Sequence, residues 1–69
     1  MIILMNEVYE VWMGWRNNNE DCYFKTADRD EAIERAEFYE SSNTKEEIKN
    51  GLFVEVRVYL DEYNYAIIY

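Results

Sequence analysis

The feature that most constrains this chain is the run Leu52 to Leu60, where Leu52, Val54, Val56, Val58 and Leu60 alternate with Phe53, Glu55, Arg57 and Tyr59. A period of two places the first set on one face of a β-strand and the second on the other. One wholly aliphatic face demands an apolar layer above it, and 69 residues hold material for a single such layer. Glu55, on the alternate positions, is expected to face solvent.

The same logic assigns the other elements. From Glu7 the odd positions Tyr9, Val11, Met13 and Trp15 are apolar, while the even positions run Val8, Glu10, Trp12, Gly14 and Arg16. This predicts a first strand. Asn17, Asn18, Asn19, Glu20 and Asp21 supply turn chemistry, because Asn and Asp tolerate left-handed backbone and bond their own main chain. Cys22 to Thr26 returns as a second strand, which makes a hairpin. Asp28 followed by Glu31 has the spacing of a capping box, and Ala32, Ile33, Ala36 and Tyr39 recur behind it at helical spacing, so a helix is expected over 29–40. Ser41, Ser42 and Asn43 end it. Thr44 and Glu47 repeat the capping-box spacing, and Gly51 suits a left-handed cap, which predicts a short further helical turn. Asp61 to Asn64 reads as a turn, and Tyr65 to Tyr69 as a fourth strand.

Strand, strand, helix, strand, strand is an α+β order (ββαββ). With every pairing antiparallel, the simplest sheet order is 2-1-3-4, and the main helix lies on one face. That helix is expected to bury Val54, Val56 and Val58 together with Val11 and Met13. No proline, internal repeat or low-complexity tract divides residues 1–69, so they read as a single domain.

Composition then narrows the function. Fifteen Asp and Glu oppose seven Lys and Arg, a formal charge of -8, yet 49% of the residues are hydrophobic, too many for a disordered acidic tail. Histidine is absent, which removes the commonest general base and zinc ligand, and Cys22 is the one cysteine. Asp28-x-Asp30 opens like a calcium loop but fails at Ala32, and Asn17 to Asp21 offers at most a weak cation site. With two glycines there is no phosphate-binding loop. No catalytic residue, metal or cofactor is expected, and the chain reads as a non-enzyme. Met1 to Met5 is apolar but lacks the flanks of a secretory signal and the length to span a bilayer. A cytoplasmic location is the expectation, with Met5 as an alternative start.

Two surfaces emerge as candidate binding sites. Asp30, Glu31, Glu34 and Glu37 fall away from the alanine stripe, with Phe38 among them, and the topology brings Asp61 and Glu62 to the same end as the start of the helix. Such a row of carboxylates can imitate a phosphate backbone to a basic groove. The plainer account is a solvated helix face, with acids favouring the helix dipole and Glu31 pairing with Arg35. The second surface is the sheet face opposite the helix, where Val8, Trp12, Phe53 and Tyr59 suggest self-association as a homodimer. Direct nucleic-acid binding is disfavoured by the charge. In size, acidity and exposed aromatics the chain resembles the acidic decoy proteins that phages and mobile elements use against restriction or CRISPR enzymes. That resemblance implies a stoichiometric inhibitor, or nucleic-acid mimic, bound to a basic nucleic-acid-binding protein. The alternative is a homodimeric accessory or scaffold protein that acts through its aromatic sheet face.

Overall fold

A computed structural model of the chain describes residues 8–16, 19–61 and 63–69. Six elements follow in order: β1 (Tyr9–Trp15), β2 (Glu20–Thr26), α1 (Arg29–Ser41), α2 (Lys45–Lys49), β3 (Leu52–Tyr59) and β4 (Tyr65–Ile67). The strands form one antiparallel sheet in the order β2-β1-β3-β4. α1 packs on β1, β2 and β3, and α2 on β3.

The core lies between α1 and the two central strands. Ala32 and Ala36 are buried against Tyr9, Val11, Val54 and Val56, with Met13, Phe24, Tyr39, Val58, Ile68 and Tyr69 around them. Alanine at both buried helical positions lets the helix backbone approach the sheet closely. Val11 and Val56 are completely enclosed, and each contributes about 1.5–3 kcal/mol by leaving water. Tyr69 closes the side of this layer, its hydroxyl donating to Glu40 Oε1 at 3.2 Å.

β2 begins at Glu20, two residues before the start read from the sequence. Glu20 sits opposite Gly14 in the ladder, and its carboxylate is engaged across the sheet by Arg57, so the strand is pinned through what reads as turn chemistry. A bulge follows: Val11 faces Phe24 and Trp12 faces Cys22, which leaves Tyr23 as the extra residue. The bulge lets Tyr23 and Phe24 both address the helix, Tyr23 meeting Tyr39 edge-on at 6.1 Å and Phe24 lying beneath Arg35.

The helix starts differ in detail. Asp28 Oδ1 accepts the Asp30 and Glu31 N–H groups at 2.9 and 3.2 Å, while its own N–H donates to Thr26 Oγ1 at 3.1 Å. Thr26 thus takes the place that Glu31 would fill in a reciprocal capping box. At α2 the box is complete: Thr44 Oγ1 accepts the Glu47 N–H, and Glu47 Oε1 accepts the Thr44 N–H. Gly51 follows with φ 105°, as expected of a left-handed cap, and its carbonyl accepts the Arg16 N–H at 3.0 Å.

Gly14 lies where the β1–β2 hairpin closes most tightly. A Cβ there would come within 2.3 Å of the Asn19 carbonyl oxygen and 2.4 Å of Glu20 Cα, both backbone atoms. Gly14→Ala is therefore expected to lower stability by about 1–3 kcal/mol, the usual range for overpacking. Chemical denaturation would measure it, and an unchanged midpoint would contradict this account of the hairpin.

Candidate protein-interaction surface

α1 carries five acids, two arginines and an alanine seam. With the seam on the sheet, Asp30, Glu31, Glu34, Glu37 and Phe38 come to the opposite side, and all are exposed. Among the described residues no cation pairs with any of those four carboxylates. Arg35, the partner expected for Glu31, instead lays its guanidinium over the Phe24 ring, 4.1 Å from the centre. A flat, weakly hydrated guanidinium gains more on an aromatic face than in a solvent-screened pair. The result is a row of uncompensated carboxylates with an apolar ring beside it. Phe38 is 64% exposed, so the connection after the helix does not cover it.

Asp61 is exposed at the β3–β4 turn, at the end of the sheet where α1 begins. Its carboxylate organises the turn. The Asn64 side-chain amide donates at 3.0 and 3.1 Å, and the Tyr63 and Asn64 backbone N–H groups donate at 2.8 and 2.9 Å. The Asn64 amide first, then the two backbone donors, hold its pKa below the ordinary aspartate value. Glu62 lies outside the described residues, as do Asn17, Asn18 and the apolar start Met1 to Met5.

The opposite sheet face is not the plain apolar surface suggested by Val8, Trp12, Phe53 and Tyr59. Its centre is Arg57, only 5% exposed, with Glu55, 8% exposed, beside it. Arg57 donates through Nε to Glu55 Oε2 at 2.5 Å and through a terminal nitrogen to Glu20 Oε1 at 3.0 Å. Its guanidinium lies between the rings of Trp12 and Tyr65, 4.2 and 4.5 Å from their centres. Burial works against the charged guanidinium, but the hydrogen bonds it donates to Glu55 and Glu20 outweigh it and hold the pKa above the ordinary value. Glu55 is therefore a buried partner, correcting its expected place in solvent. Trp12 is half-buried and donates its indole N–H to Glu10 at 2.9 Å, with Lys25 3.8 Å from that carboxylate. Phe53 is buried, with Arg16 4.8 Å from its ring centre, while Val8 and Tyr59 remain exposed.

This arrangement was partly readable. Glu10 faces Arg57 and Trp12 faces Glu55 in the β1–β3 register, so correct strand pairing brings the cation, its acids and the indole together. What no sequence pattern gives is the Glu20 contact, which depends on where β2 begins.

Cys22 is half-buried beside Trp12 and donates weakly to the Phe24 carbonyl at 3.6 Å. Burial first, then the Glu10 charge, raises its thiol pKa, the reverse of what a nucleophile needs. Two clefts, of about 260 and 330 Å³, flank Asn43, whose side-chain Nδ2 is buried without a hydrogen-bond partner. Among the described residues no group of three or more Cys, Asp or Glu converges to hold a metal ion, and no helix is long and apolar enough to cross a membrane.

The geometry defines an α+β module with an acidic helix face and a sheet face locked by a buried arginine. Comparison with protein-family models, curated proteins and solved structures gave no match.

Two predictions follow from these environments. Arg57→Ala leaves Glu55 buried without its cation, so stability should fall by about 3 kcal/mol, the lower end for a broken buried pair because Glu20 is half in solvent. Thermal denaturation followed by the fluorescence of Trp12 and Trp15 would register the loss. Cys22 and Tyr69 both have raised pKa values in the folded chain, Tyr69 through burial and then the Glu40 hydrogen bond. The fold therefore binds these protons more tightly than the unfolded chain. Their stability contribution is complete below the ordinary thiol value of 9.0 and declines as pH rises through the folded pKa values. Melting temperature against pH should fall on the alkaline side, and less steeply in Cys22→Ser and Tyr69→Phe.

Proposed function

We propose that this chain is an acidic protein-binding module that inhibits a partner stoichiometrically by occupying its basic nucleic-acid-binding surface with α1. One observation carries the reading: Asp30, Glu31, Glu34 and Glu37 are exposed on one side of α1 with no cation paired to them among the described residues. A solvated face that served the helix alone would gain from Arg35 among its acids, and Arg35 is spent on Phe24 instead. Glu31, Glu34 and Glu37 follow one another at about 4.5 Å along the axis, a ladder of charge for lysines and arginines that otherwise grip phosphates. Phe38 supplies an apolar anchor at its margin, and Asp61, at the same end as the helix start, extends the field. The reading is of a binding protein, not an enzyme: the sequence has no histidine, and burial raises the Cys22 thiol pKa. A free, half-buried thiol fits the cytoplasm, and an inhibitor of restriction or CRISPR type is the class this surface suits.

The test is competitive binding. Immobilised chain should retain a nucleic-acid-binding protein from bacterial extract at low salt, release it at high salt, and lose it to added duplex DNA or RNA. Glu34→Lys with Glu37→Lys should weaken retention at least tenfold, about 1.4 kcal/mol, with stability changed by less than about 0.5 kcal/mol because both sites are exposed. Glu46→Lys, on the exposed side of α2, is the matched control. A retained protein that kept its nucleic acid, and whose binding ignored both salt and the double reversal, would refute the decoy reading.

A further inference from the structure

The two edges of the sheet are built differently. On β2, the bulge at Tyr23 and the charges of Glu20, Asp21 and Lys25 discourage pairing with another strand. β4 has none of these devices. It belongs to the segment Tyr63-Asn64-Tyr65-Ala66-Ile67-Ile68-Tyr69, which has no charged side chain, glycine or proline. Tyr65 is 40% and Ile67 56% exposed, and among the described residues no strand pairs with the outer side of β4.

The ladder to β3 fixes which backbone groups are free. Asn64 accepts the Leu60 N–H at 2.8 Å, Ala66 sits opposite Val58, and the Ile68 N–H donates to the Val56 carbonyl at 3.0 Å. Positions 64, 66 and 68 therefore bond inward, and alternation turns the N–H and C=O groups of Tyr65 and Ile67 outward. We infer that β4 is the surface through which two copies of this chain join, pairing antiparallel about a two-fold axis at Ala66. That axis sets Tyr65 against Ile67 of the second copy and Ile67 against its Tyr65. Each outward N–H then meets an outward carbonyl.

Charge selects the occupant. A two-fold contact sets a patch against itself, so on a chain of charge -8 most patches would oppose carboxylate to carboxylate. The 63–69 segment opposes none. A charged foreign strand would find no complementary charge on β4, whereas the second copy offers an uncharged strand with an aromatic against a β-branched side chain at each pair. This inference is independent of the function assigned to α1.

Sedimentation equilibrium and residue-resolved amide exchange on the intact chain test it together. A dimer is expected at high micromolar concentration, strengthened by added salt because the copies repel, the opposite sign to binding a basic partner. The Tyr65 and Ile67 amides should gain protection as concentration rises, while the Ile68 amide stays protected throughout. Ile67→Pro removes one outward donor per copy and no inward one, so it should raise the dissociation constant at least roughly tenfold. Ile67→Glu, which keeps the donor but adds like charge to the edge, should also weaken the dimer, with Ile68 protection reporting that β4 is intact. A species of 8.4 kDa at every concentration would overturn the inference. So would a dimer with freely exchanging Tyr65 and Ile67 amides, or one indifferent to both substitutions.

Discussion

The contact of Ala32 and Ala36 with Val11 and Val56 is the constraint on which the rest of the molecule depends. Two methyl-sized side chains bring α1 close to the sheet, and they meet two valines that are fully enclosed. Once that seam is set, the helix cannot rotate: Tyr39 meets Tyr23, Arg35 lies over Phe24, and the acids are carried outward. The acidic face is thus a consequence of core packing. On the other side of the sheet, the β1–β3 register sets Glu10 opposite Arg57 and Trp12 opposite Glu55.

Most of the fold was legible because local and long-range signals agree. The aliphatic alternation from Leu52, the odd-position apolar residues from Tyr9, and the caps at Asp28, Thr44 and Gly51 each point to the element that forms. With four short antiparallel strands and one main helix beside the short α2, connection rules leave few sheet orders, and β2-β1-β3-β4 is the simplest. The start of β2 was illegible for a definite reason. Glu20 and Asp21 have turn propensity, and what draws them into the strand is a contact with Arg57, 37 positions away in sequence.

The candidate sites were legible to different degrees. Helical periodicity alone places Asp30, Glu31, Glu34, Glu37 and Phe38 on one exposed side, since exposure on a helix follows from the position of its seam. The sheet face resisted the same treatment. Period two separates its sides but does not say whether polar residues on the second side are solvated or buried among themselves, and Glu55 and Arg57 are buried. A guanidinium held by two carboxylates between two aromatic rings looks, in sequence, like ordinary alternation. Aromatic residues that seem free for a partner are there committed to an internal cation, which moves the balance of the functional argument toward the helix.

The two proposed surfaces are geometrically compatible. α1 lies over β1, β2 and β3, so pairing at the outer side of β4 leaves its acids uncovered. A two-fold axis perpendicular to the sheet keeps both helices on the same face of a continuous sheet running β2-β1-β3-β4-β4-β3-β1-β2. Five strand spacings separate one β1 from the other, about 24 Å at about 4.8 Å each. Two acidic bands at that separation, antiparallel and facing the same way, match an extended or two-fold basic surface better than one band does. Linkage of two weak contacts on a rigid frame raises avidity without any new interaction. Charge opposes the pairing, because each copy brings its own excess of carboxylates. Binding of a basic partner neutralises that excess, so the edge contact and the helix contact should favour one another: each copy held on a positive surface repels its neighbour less.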